Sequence, residues 1–201
     1  MGIPIVVLAM LSSIACGIRP ARPPDGEVVY AGEQYLACVG PDCVADFCFA
    51  DRLQSDADLV AAYGAGFTDS REYRCYESQD GLFIQFEMRH DGSGLIDSIF
   101  ISTVPNCPGA LRPTRPFQPL LTREGIGVGS SEEEVRAAYG KPCRIEPGTG
   151  LDMIGLPYDE AMRTAPFGDT ALVYSDTSSL LSAAFYMQHH VVTAFSVSAS
   201  E

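Results

Sequence analysis

Two short stretches of the chain, 76 residues apart, use the same kinds of residue in the same order. Ser55, Asp58, Leu59, Ala62, Tyr63 and Gly64 fall on Ser131, Glu134, Val135, Ala138, Tyr139 and Gly140. Ser-x-x-acid spacing lets the serine hydroxyl accept from an early helix N–H, while the acid three residues on reaches back to the serine N–H. Leu59, Ala62 and Tyr63, like Val135, Ala138 and Tyr139, recur at i, i+3 and i+4 and so share one helix face. Gly64 and Gly140 stand where helices stop, and Pro142 bars continuation of the second. Helices of about eight residues do not hold in water alone, so each must dock on another layer.

That layer reads as sheet. Gly81 to Ser102 alternates around a turn at Asp91 to Gly94, and Leu180 to Ser198 repeats the scheme around His189 and His190. Phe86, Met88 and His90 fall on Phe185, Met187 and His189 with an offset of 99, and its growth from 76 places about 23 extra residues in the second half, near 146–169. Glu72 to Ser78 and Thr170 to Ser175 read as preceding strands. The expected fold is α+β, in two tandem units, each with one or two short helices packed on a three- to four-stranded antiparallel sheet. The first unit covers 35–104 and the second 118–201. Between them 105–117 is rich in proline, which continues neither ladder nor helix, and reads as a linker.

The N-terminus is apolar from Ile3 to Ile14, short of the roughly 20 residues that span a bilayer, and reads as a signal peptide over 1–15. Ser13-Ile14-Ala15-Cys16 resembles a bacterial lipobox, which implies lipidation of Cys16; ordinary secretion is the second choice. Residues 16–34 then form a proline-rich tether. Of seven cysteines, lipid on Cys16 leaves Cys38, Cys43, Cys48, Cys75, Cys107 and Cys143, an even set suited to disulfides in an oxidising compartment. Their connectivity stays open. Pairing within each half would sort Cys38, Cys43, Cys48 and Cys75 among themselves and join Cys107 to Cys143.

Thirteen Lys+Arg against 26 Asp+Glu give a net charge of -13, which repels phosphate backbones and anionic headgroups. No nucleic-acid partner is expected, and no membrane contact beyond the N-terminal lipid; a basic protein or a cationic small molecule would be steered toward the chain, while the plainer reading is that the acidity keeps the chain soluble. His90, His189 and His190 fall at predicted turns without a ligand set around them and read as solvated turn residues. Glu132, Glu133 and Glu134 occupy a first helical turn, where negative charge meets the positive end of the helix dipole. Gly125 to Gly129 lacks the lysine of a phosphate loop. No catalytic residue, cofactor or metal site is assigned, and the chain reads as non-enzymatic.

Gly125 to Pro142, of the form Gly-Ile-x-Val-Gly-x-Ser-x-x-x-Val-x-x-x-Tyr-Gly-Lys-Pro, resembles the helix start of small outer-membrane lipoproteins of the SmpA/OmlA (BamE) type. The tandem layout is similar to that of the beta-lactamase inhibitory protein. The resemblance implies binding or scaffolding: one family is an accessory subunit of an assembly machine, and the other presents a concave sheet to an enzyme. If Leu82, Ile84, Phe86 and Met88 face the helices, the opposite sheet face carries Phe83, Arg89, Phe100, Tyr186 and Gln188 as the candidate partner surface. The expected protein is exported, lipid-anchored and non-catalytic, lying on the periplasmic side of the outer membrane or at the cell surface and binding another envelope or secreted protein. The alternative is a small extracytoplasmic hydrolase or ligand-binding protein whose pocket is built by 146–169, where Asp152, Asp159, Glu160 and Arg163 cluster.

Overall fold

The structure, a computed structural model, describes residues 27–30, 33–36, 40–49, 54–68, 72–105, 107, 109–148, 167–176 and 181–199. The signal peptide, Cys16, Cys38 and residues 149–166 of the insertion lie outside these. Two capped helices form, α1 at Asp56–Tyr63 and α2 at Glu132–Tyr139, each with a complete capping box, Ser55 with Asp58 and Ser131 with Glu134. Both stop on a glycine in extended backbone of positive φ, Gly64 at φ 87 and ψ -179 and Gly140 at φ 75 and ψ -150. That region is almost closed to residues with a Cβ. Leu59, Tyr63, Val135 and Tyr139 are buried. Ala62 is half-buried but Ala138 is exposed; in so short a helix the i, i+4 pair alone carries the second contact.

The expected two sheets are one. The strands are β1 (Glu27–Tyr30), β2 (Glu33–Leu36), β3 (Cys43–Val44), β4 (Phe47–Cys48), β5 (Tyr73–Glu77), β6 (Phe83–Met88), β7 (Ile96–Ser102), β8 (Arg144–Pro147), β9 (Thr170–Asp176), β10 (Leu181–Gln188) and β11 (Val191–Ala199). Seven of them form a single antiparallel sheet in the order β5-β6-β7-β11-β10-β9-β8, while β1-β2 and β3-β4 are separate two-stranded hairpins. The protein is therefore mostly β, not a pair of separate α+β units. The joint is the β7·β11 ladder, in which Ser102 pairs with Ala194, Phe100 with Ser196 and Ser98 with Ser198. One apolar cluster runs through both halves, joining Phe86, Ile99 and Ile101 to Phe185, Phe195 and Val197. Joining the edges buries backbone donors and acceptors that two small sheets would expose.

The sequence repeat survives as repeated contacts. Asp56 N–H donates to Gly94 O and Glu132 N–H to His190 O, both at 2.8 Å, so each helix start is bonded to a hairpin tip. Ile96 N–H donates to Gln54 O and Val192 N–H to Ser130 O in the same way. At the other helix end Tyr76 Oη–H donates to Gly64 O at 2.7 Å, and Tyr174 Oη–H to Gly140 O at 3.1 Å. Burial pushes both phenols up to about 12.

Two connecting segments are more ordered than their composition suggests. The 105–117 stretch packs on the first half: Phe117 stacks on Tyr63 at 4.1 Å, Arg115 lies 4.7 Å over the Tyr63 ring, and Glu77 N–H donates to Leu111 O. Proline forbids a ladder there but not side-chain packing. Glu27–Tyr30, assigned to the tether, is a strand paired with β2. Cys75 is bonded to Cys107 and Cys43 to Cys48, while Cys143 is also disulfide-bonded. The expected Cys107–Cys143 pair is overturned, because the proline-rich segment carries Cys107 back to β5.

Candidate functional site

β10 and β11 are joined by the two residues His189 and His190, with φ 51 and φ 65. Both central positions of this turn are left-handed, a conformation for which Asn-Gly is the usual choice. The histidines are held on two sides. Asp169 accepts from His189 N–H at 3.3 Å and from Gln188 Nε2 at 3.1 and 3.2 Å. Across the tip, His190 Nδ1 lies 2.7 Å from Glu132 Oε2 at the start of α2, and Arg136 Nε donates to Glu132 Oε1 at 2.7 Å. Hydrogen bonds from His190 and Arg136 hold the Glu132 carboxyl below its ordinary range.

Ser131, Glu132, Glu133, Arg136, Ala137 and His190 line a shallow, largely open depression beside this tip. Glu134 is committed to the capping box with Ser131, whereas Glu133 is exposed on the helix surface. Val191, 41% exposed, adds apolar surface next to the turn. The arrangement offers an anionic helix start, a clamped imidazole and an adjacent aliphatic side chain, which suits a basic or amphipathic segment of another molecule. Among the described residues no group of three or more His, Cys, Asp and Glu side chains could hold a metal ion, and no helix is long and apolar enough to cross a membrane.

The surface expected on the opposite sheet face is placed differently. Gln85, Phe100 and Ser196 share one cross-strand row, and Phe83, Ser102, Ala194 and Tyr186 the next, so these residues do occupy one face. That face is not open at its centre: Phe100 is 1% and Tyr186 3% exposed. Phe167 packs edge-on against Phe100 at 4.9 Å and tilted against Tyr186 at 5.8 Å, closing a second cluster with Ala171, Val173, Ala184 and Ala194. Phe83, Arg89 and Gln188 are half-buried, and Arg89 is paired with Asp97. Phe100 and Tyr186 are core residues, so the expected partner surface does not include them.

No family model, curated protein or solved structure matches the chain. The likeness to the SmpA/OmlA-type lipoproteins and to the beta-lactamase inhibitory protein accordingly rests on the motif at Gly125 to Pro142 and on the repeat. Local sequence accounts for Glu132 by the helix dipole and for His190 by a solvated turn. Their junction, across 58 positions, has no local signal. The one related signal in the sequence is the repeated order of capped helix and hairpin, at offsets of 76 and 99.

Proposed function

We propose that this is an exported, lipid-anchored, non-catalytic protein that binds another envelope or secreted protein, and that the α2–hairpin tip is where it does so. The observation that carries the reading is the pair of left-handed histidines. A two-residue turn of this type favours Asn-Gly, so keeping side chains at both positions costs backbone strain, and such strain concentrates where side chains serve a function. Here the His190 side chain lines a shallow open depression together with the exposed Glu133. The net charge of -13 favours encounter with a basic partner. Export and anchoring rest on the apolar N-terminus and on Cys16.

The test is affinity capture from detergent-solubilised membranes of the source cells. A His190→Ala, Glu133→Lys double variant should lose a partner that the wild-type protein retains, and wild-type capture should weaken with rising salt. Equal capture by both proteins would overturn the assignment of this surface.

A further inference from the structure

The seven-stranded sheet has two edges, and they are finished differently. Along β5, Phe67 N–H donates to Cys75 O at 2.9 Å, Cys75 N–H to Phe67 O at 2.8 Å, and Glu77 N–H to Leu111 O at 3.0 Å. Neighbouring loops thus take up that edge. At the other edge, β8 runs Arg144↔Val173, Ile145↔Leu172, Glu146↔Ala171 and Pro147↔Thr170 against β9, and the register continues with Gly148 N–H donating to Asp169 O. Antiparallel pairs alternate between residues that exchange bonds with the neighbour and residues whose backbone groups point away. Counting back from Gly148, the groups of Glu146 and Arg144 face β9, and the N–H and C=O of Ile145 face outward. The Ile145 side chain is 60% exposed, the most open of the large hydrophobics on the described surface. On the other face of the strand Arg144 Nε and Glu146 Oε1 are 3.3 Å apart.

We propose that β8 pairs with β8 of a second copy of this chain, antiparallel about a two-fold axis at Ile145. The charge order selects that occupant. Antiparallel pairing centred on Ile145 sets Arg144 of each copy opposite Glu146 of the other, on the same sheet face, so the two in-strand ion pairs become one ring of alternating charge. Ile145 meets Ile145 on the opposite face, and each Ile145 N–H donates to the other copy's Ile145 C=O. Pro147 has no N–H and ends the ladder there. An isologous contact of this kind consumes the edge that the described residues leave unpaired in both copies, so the assembly closes at two. A contact of three or four residues a side lies far below the roughly 1,200–2,000 Å² of stable complexes, and the dimer is weak.

Sedimentation equilibrium from micromolar to millimolar protein at physiological salt tests this, with circular dichroism melting to confirm that each variant folds. Wild type should show a monomer–dimer equilibrium. Arg144→Glu alone and Glu146→Arg alone place like charges opposite each other and should each weaken dimerisation about tenfold or more, while the double reversal restores it. Hydrogen exchange at the Ile145 amide should slow as protein concentration rises, and exchange at the already paired Cys75 amide should not. A monomer throughout the range overturns the proposal, as does a dimer indifferent to the single reversals. Protection of the Ile145 amide only on adding membrane extract assigns the edge to a different protein and also overturns it.

Discussion

Glu87 is a carboxylate on the largely buried outer face of β6, 9% exposed, opposite Tyr73 on one side and Ser98 on the other. Ser98 Oγ–H donates to its Oε2 at 3.0 Å, and His90 Nε2 lies 3.8 Å from its Oε1. Burial pushes the carboxyl above its ordinary range; the Ser98 hydrogen bond and His90 oppose the rise, and Asp97 and Glu72 add to it. A carboxyl raised in the folded state binds its proton more readily there than in the unfolded chain. It therefore contributes stability below the ordinary carboxylate range, and that contribution is lost as pH rises through the raised value. Glu87→Gln keeps an acceptor for Ser98 and removes the buried charge, so its melting temperature should exceed wild type by a few degrees at about pH 7, with the gap closing toward about pH 4. A gap that persists in acid would assign the effect to packing instead. Local spacing could not have found this group, since alternation in β6 assigns Glu87 to a face without saying whether that face is wet.

At the scale of elements, the β10–β11 tip sets stability against use. Replacing His189 and His190 by Asn and Gly gives the turn the residues its backbone prefers and removes the exposed His190–Glu132 contact, which is worth little where solvent screens it. Denaturant unfolding should show a gain of about 0.5–1 kcal/mol while partner capture falls. Loss of stability in that variant would mean that the imidazole clamp, not the turn geometry, holds the tip to α2. Both caps, both glycine stops and both hairpins were readable because each depends on residues within a few positions of one another: Ser55 with Asp58, Ser131 with Glu134, Gly64 and Gly140 at helix ends. The β3–β4 hairpin was not read, although Cys43 and Cys48 stand directly opposite across it. Two-residue strands carry no periodicity to detect.

For the whole molecule the decisive contacts are long-range. Cys75–Cys107 closes a loop of 32 positions and fastens the proline-rich segment to the β5 edge. A Cys75→Ser, Cys107→Ser double variant should lose about 3–4 kcal/mol in the chain-entropy account. The corresponding Cys43→Ser, Cys48→Ser variant, with a loop of only 5 positions, should lose about 2 kcal/mol, both read from denaturant midpoints. Equal losses would mean that lost contacts, rather than loop closure, set the cost. What the sequence by itself determined was local: where helices start and stop, where strands alternate, and which face each side chain takes, because capping, glycine backbone freedom and period-two geometry act over a few residues. Tertiary structure alone decided that β7 and β11 join the two halves into one sheet, that Phe167 covers Phe100 and Tyr186, and that His190 meets Glu132. Those choices depend on how exposed edges and apolar faces from distant segments are buried together, a quantity no short stretch of chain contains.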